Sequence, residues 1–243
     1  MKIFRKIIIT ILSLFIIIIF AFLIYTSNYY KAKDVDSYLK SDDYVIVDSK
    51  NNNIWFSPKN EVKEEGFIFY QGALVEKEAY APIMYKLARD GYTSVLIDMP
   101  FKLAFFGTNY ASEITLNNKD INWYIGGHSL GGAMAANYYY SHSNSVSGLV
   151  LLAAYSTKDL TIKEQSYVLS IYGSCDNVLS KEKYDKYKSN ISSNLFEYCI
   201  EGANHSGFAS YGAQAKDGKN TISKEEQWNI TINYIEKFME KTL

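Results

Sequence analysis

Cysteine is scarce in this 243-residue chain, which has only Cys175 and Cys199. Two thiols are too few for a disulfide-built scaffold. They fall near the ends of two neighbouring predicted strands, so they read either as isolated thiols or as one bridge. Proline is scarce too, with three residues, and the 14 glycines mark no interdomain linker. There is no internal repeat. A Gly-rich phosphate loop, a dinucleotide fingerprint and metal-ligand spacing are all missing, so no cofactor and no metal are expected. Positive charge is short over most of the chain. Residues 1–33 carry Lys2, Arg5, Lys6, Lys31 and Lys33 and no acid, which leaves 20 basic against 26 acidic side chains in the rest. An acidic body lacks the basic footprint that nucleic-acid binding requires.

Charge is absent altogether between Lys6 and Lys31. Residues 7–25 are apolar apart from Thr10 and Ser13. About 20 helical residues cross the apolar layer of a bilayer. A core helix of a soluble protein would show a polar face, and this run has none. The competing reading is a cleaved signal peptide, whose apolar stretch is about 7–15 residues and ends in a small-x-small site. This run is longer and ends in Ile24-Tyr25-Thr26-Ser27-Asn28, without such a site. No cysteine follows it to carry a lipid. The expectation is an uncleaved anchor over residues 1–28, a polar connector over 29–43 and a catalytic domain over 44–243. Lys2, Arg5 and Lys6 place the body on the extracytoplasmic side.

Beyond the connector, strand and helix patterns alternate. Residues 44–48 and 54–57 flank Lys50-Asn51-Asn52-Asn53 and read as a hairpin. Strands follow at 66–70, 93–99, 121–126, 148–154, 167–172 and 195–200. Helices fall at 82–91, 130–141 and 180–189, with a weaker one at 102–116. Ser223-Lys224-Glu225-Glu226 is a capping box that opens a last helix with a buried stripe of Trp228, Ile232, Ile235 and Met239. An opening hairpin followed by strand–helix units predicts an α/β fold, a mainly parallel sheet with helices on both faces.

One junction carries chemistry. The strand at 121–126 runs into Gly127-His128-Ser129-Leu130-Gly131-Gly132 and then a helix. In that setting a G-x-S-x-G places the serine on a tight, strained turn above the sheet edge. The Leu130 N–H sits at the helix N-terminus, suited to an oxyanion. A serine hydroxyl needs a base, and there are three histidines. His128 lies inside the elbow, and His142 is 13 residues along the helix, about 20 Å away at its 1.5 Å rise. His205, in the loop after the last strand, remains, and such loops converge on the elbow's edge. Asp176 follows the preceding strand and gives the order Ser, Asp, His. Its rivals are Asp98, which precedes the serine, and Asp159, one strand early. A second oxyanion donor belongs to the loop Tyr70-Gln71-Gly72-Ala73-Leu74, with Ala73 N–H the candidate.

On these pieces the chain resembles a compact, lidless family of α/β-hydrolases, the fold-5 type. The resemblance covers about residues 44–240. Its marks are Tyr70-Gln71-Gly72-Ala73-Leu74-Val75, Tyr80-Ala81-Pro82, Asp98-Met99-Pro100, the Gly127–Gly132 elbow and Gly202-Ala203-Asn204-His205-Ser206-Gly207-Phe208. Tyr211-Gly212-Ala213-Gln214, Asp217-Gly218 and the stretch 223–227 also match. The resemblance implies the α/β-hydrolase fold, a catalytic triad of Ser129, Asp176 and His205, and oxyanion donors at Ala73 and Leu130. Gln71 stands where relatives often carry proline, which leaves the shape of the oxyanion loop open.

The expected activity is that of a serine hydrolase of the carboxylesterase kind, acting on a small-molecule or surface-presented acyl substrate. Only twelve residues, 155–166, join the strands where relatives insert a cap, which is enough for a crossover and no more. The 17-residue stretch 206–222 is the expected pocket wall. Acyl transfer to an envelope acceptor uses the same triad. A non-catalytic, membrane-tethered binding protein on a hydrolase fold is the reading from another class.

Overall fold

The computed structural model describes residues 2–161, 166–191 and 194–242. Helix α1 (Lys2–Ser27) stands outside the body. It is long and apolar enough to cross a membrane over Ile3–Ser27. The body begins with the hairpin β1 (Val45–Lys50) and β2 (Asn53–Pro58), which turns through Asn51 and Asn52 with φ of 51° and 63°. Asparagine tolerates this left-handed turn better than most residues. Then follow β3 (Glu65–Tyr70), α2 (Ala81–Arg89), β4 (Thr93–Leu96), α3 (Ala111–Asn117), β5 (Asn122–His128) and α4 (Leu130–His142). The chain closes with β6 (Gly148–Leu152), β7 (Val168–Gly173), α5 (Lys181–Lys188), β8 (Leu195–Ile200) and α6 (Lys224–Lys241).

Eight strands form one sheet in the order β1-β2-β4-β3-β5-β6-β7-β8. The first two pairings are antiparallel and the rest parallel. Continuous apolar strands are what a sheet covered on both faces demands. In β3, Phe67 and Phe69 pack into the core under α2 and α6, while Ile68 and Tyr70 pack into the core under α3 and α4. The stripe Ile83, Met84, Leu87 and Ala88 of α2 is fully buried. Ser223 caps α6, its Oγ accepting the Glu226 N–H at 3.1 Å.

Two departures from the sequence reading matter, and of the two readings of the cysteines one holds. The helix expected at 102–116 is two short 3₁₀ turns, at Pro100–Lys102 and Ala104–Gly107, before α3 begins at Ala111. Phe101 and Lys102 take φ of 55° and 57°, which an α-helix cannot contain. Residues 29–43 read as a connector but run along the body. Tyr30 bridges Val75, and Lys33 N–H donates to the Ser210 carbonyl at 2.7 Å. Both cysteines are free thiols. Of the crossover 155–166, residues 162–165 lie outside the described residues.

Candidate active site

Four loops leave the carboxyl ends of parallel strands at one edge of the sheet. They follow β3, β5, β7 and β8, and they carry Ala73, Ser129, Asp176 and His205 respectively. Ser129 takes φ 54° and ψ −121°, a strained geometry for a residue with a side chain. Its N–H donates to the Leu152 carbonyl at 2.9 Å, and its own carbonyl accepts from Ala133 N–H at 3.1 Å. Two glycines permit the turn. A Cβ on Gly131 would stand 2.2 Å from the Tyr70 carbonyl oxygen, and one on Gly127 would stand 2.5 Å from the Gly131 backbone. Ser129 and Leu130 are half-exposed at this edge.

His205 is buried at 1% exposure, and its Nδ1–H donates to Asp176 Oδ2 at 2.8 Å. The other oxygen, Oδ1, accepts the N–H groups of Val178 and Leu179, both at 2.8 Å. With Nδ1 occupied as donor, the imidazole turns a basic Nε2 away from the carboxylate. Asp217 braces the loop from beneath. Its carboxylate accepts the backbone N–H groups of His205 at 3.2 Å, Ser206 at 2.8 Å and Gly218 at 2.8 Å. Gln227 of α6 locks Asn204 by donating Nε2–H to its carbonyl at 2.9 Å. Ser129 is joined to this cluster through its neighbour, for the His128 and His205 rings lie 4.4 Å apart between centroids.

The rival acids are engaged elsewhere. Asp98 accepts from Lys77 Nζ at 2.9 Å, and Asp159 Oδ1 takes the N–H and hydroxyl of Thr161. His142 stacks on Tyr138 at the far end of α4. In the β3 loop, Gln71 is buried and its Nε2–H donates to the Val75 carbonyl at 2.7 Å. It closes from the side chain the turn that proline would stiffen from the backbone. Leu74 follows Ala73 with φ 53°, and its N–H donates to the Lys102 carbonyl at 2.9 Å. The stretch 206–222 lines a cleft with Asn204 and Lys224, and Ser129 is not among that cleft's lining residues.

His128 and Tyr80 carry more of the site than their sequence positions suggest. Gly72 N–H donates to Tyr80 Oη at 2.9 Å, and Tyr80 Oη meets His128 Nδ1 at 2.9 Å. The phenol, having accepted from the backbone, gives its own proton to Nδ1, so His128 carries its proton on Nε2. Burial, and then the neighbouring His205, hold the His128 pKa well below the ordinary 6.5, so the ring is neutral. It thus ties the elbow to the β3 loop without charging. No local pattern announces this link, because its three residues come from separate segments.

Residues 66–229 match the model of the alpha/beta hydrolase family. No curated protein matches the chain. Among solved structures, a CIB-like hydrolase from Thermoplasma acidophilum superposes with a TM-score of 0.59 at 16% identity, covering 79% of this chain and 99% of its own. A soluble variant of a monoglyceride lipase from Saccharomyces cerevisiae gives 0.56 at 12% identity, over 82% and 97%. A bacterial membrane phospholipase A gives 0.53 at 12% identity, over 98% and 99%. At such identities the likeness is one of fold.

Proposed function

We propose that this chain, which belongs to the alpha/beta hydrolase family, is a membrane-tethered serine hydrolase that cleaves an ester or related acyl bond. Ser129 Oγ attacks the carbonyl carbon while His205 Nε2 takes its proton. The N–H groups of Ala73 and Leu130 hold the oxyanion. As the carbonyl re-forms, the alcohol leaves with the proton from His205, and an acyl-enzyme remains. Water, deprotonated by His205, adds to that acyl group; as the carbonyl re-forms, the bond to Ser129 Oγ breaks, Oγ takes the proton back from His205, and the acid departs. Asp176 keeps Nδ1 protonated throughout and stabilises the imidazolium.

The observation that carries this reading is the buried 2.8 Å bond between His205 and Asp176, one ring's breadth from the elbow. The esterase and lipase character of several neighbours in fold agrees with it. Retention of α1 as an anchor is supported by its last turns, where Phe22 packs on Phe101 and Phe106 of the body and Thr26 is buried. A cleaved leader has no reason to make that contact. The basic start of α1 then faces the cytoplasm and the body lies outside.

The test uses the full chain in detergent, p-nitrophenyl esters of graded length, and a fluorophosphonate label. Ser129→Ala should lose the label and about 10³-fold or more of the activity. Asp176→Asn should also fall steeply, through loss of the tautomer. Labelling or turnover that survives in the Ser129 variant would refute the assignment.

A further inference from the structure

Beside the site the chain exposes large apolar rings that packing does not account for. Phe105 is 67% exposed, and Phe101, Phe106 and Tyr110 are each close to half-exposed. They come from the segment between β4 and α3, and that segment is held in place. Phe101 and Lys102 are consecutive non-glycine residues at positive φ, a conformation that persists only where its surroundings hold it. Lys102 N–H donates to the Met99 carbonyl at 2.9 Å. Tyr70 Oη donates to the Thr108 carbonyl at 2.7 Å and accepts from Ala111 N–H at 3.2 Å. The backbone is fixed, and what it fixes is a set of rings aimed away from the core.

The apolar helix reaches the same patch. The Phe22 ring lies 5.1 Å from that of Phe101 and 5.9 Å from that of Phe106. Phe22 precedes the end of the apolar span Ile3–Ser27 by five residues, or about 7–8 Å along the helix axis. A lipid layer that covers α1 to its end therefore reaches the level of the rings that Phe22 touches. Just past that end, Lys102 Nζ sits 3.8 Å from the centroid of the Tyr29 ring, with Lys31 and Lys33 next along the chain. An aromatic at the boundary followed by lysines is the arrangement that interfaces select.

The patch also adjoins the catalytic edge. Tyr30 N–H donates to the Leu74 carbonyl at 2.7 Å, and Leu74 N–H donates to the Lys102 carbonyl. Residue 74 is next to the oxyanion candidate Ala73. Thr108 Oγ1 lies 3.5 Å from Met134 Sδ, one helical turn beyond Leu130. Anchor exit, aromatic loop, oxyanion loop and elbow helix are thus one contiguous surface.

We propose that Phe101, Phe105, Phe106 and Tyr110 enter the bilayer that holds α1, so that the site opens onto the membrane and takes acyl lipids of that membrane as substrate. This rests on the hydrolase reading above. The chemistry stays hydrolysis, in which lipid ester and water give a free fatty acid and the deacylated lipid, a lysolipid whose freed hydroxyl takes the proton. A membrane-seated mouth explains how a half-exposed serine without a large cap meets an apolar substrate, since the bilayer supplies the apolar wall.

The experiment places the full chain in phosphatidylcholine vesicles with and without dibrominated acyl chains. Phe105→Trp should add fluorescence over the wild type that brominated lipid quenches. Phe105→Asp should lower the ratio of vesicle-lipid hydrolysis to p-nitrophenyl butyrate hydrolysis by about tenfold or more, the scale of one buried aromatic ring. Soluble-ester turnover with no added quenching and an unchanged ratio overturns the proposal and leaves the hydrolase intact. Quenching without turnover of either ester by the wild type overturns the hydrolase reading, and the substrate class with it.

Discussion

A single phenol oxygen, that of Tyr80, joins three separated pieces of chain. It accepts from Gly72 in the oxyanion loop and donates to His128 in the elbow, while its ring packs on Phe69 of β3. Tyr80→Phe keeps the ring and removes the link, leaving a buried N–H and a buried ring nitrogen without partners. Such orphaned groups cost about 1–3 kcal/mol. The oxyanion loop should loosen relative to Ser129, so kcat should fall by about tenfold with KM nearly unchanged, because the affected donors act in the transition state. Unchanged kcat and an unchanged urea midpoint would show the link to be idle. The sequence could nominate Ser129, Asp176 and His205 because chain order and a shortage of histidines narrow the choice. It could not nominate Tyr80, whose partners meet it only after β3 and β5 pair.

The stretch from Phe101 to Gly107 misled the sequence reading for a physical reason that belongs to elements. Its apolar residues have a helix-like density, and periodicity assumes that apolar residues seek the core. Here Phe101, Phe105 and Phe106 face outward, so the pattern reports a different apolar environment. The elbow, by contrast, was fully legible, since a strand, a glycine-flanked serine and a small-faced helix allow one geometry. That geometry makes a sharp demand on α4. Gly131 lies against the Tyr70 and Gln71 carbonyl oxygens, at 2.2 and 2.4 Å from an added Cβ. Both are backbone atoms and cannot swing aside. Gly131→Ala should therefore push α4 off β3, costing about 1–3 kcal/mol as overpacking does. The Leu130 N–H would move with it. Thermal unfolding and fluorophosphonate labelling rate should both fall, and a variant with wild-type values for both would show that the elbow has slack.

Across the whole molecule, a buried histidine and a half-buried glutamate give stability opposite dependences on pH. His128, at the catalytic edge, has its pKa held well below 6.5 by burial and by His205. The unfolded chain binds the extra proton, so this contribution is complete above about pH 6.5 and is lost as pH falls from there. Its slope is about 1.4 kcal/mol per pH unit. Glu236, on α6, is raised from 4.5 to about 7 by burial and then by Asp90, with Lys63 opposing and Glu240 reinforcing. Here the folded chain binds the extra proton. That contribution is present below about pH 4.5 and is lost as pH rises through 7, with a shallower slope because solvent screens a partly buried carboxyl. Between pH 5 and 6.5 the two oppose each other, and because the His128 slope is the steeper, the urea midpoint of the full chain in detergent should rise only gently. Above that window only Glu236 still titrates, and stability should decline towards pH 8. Glu236→Gln removes the falling contribution, so its midpoint should climb from pH 5 to 6.5 and then hold. His128→Gln removes the rising one, so its midpoint should decline steadily from pH 5 to 7.5. Parallel pH profiles for all three proteins would mean that neither group is buried in the state assigned to it, and that the neutral His128 between elbow and base is wrongly placed.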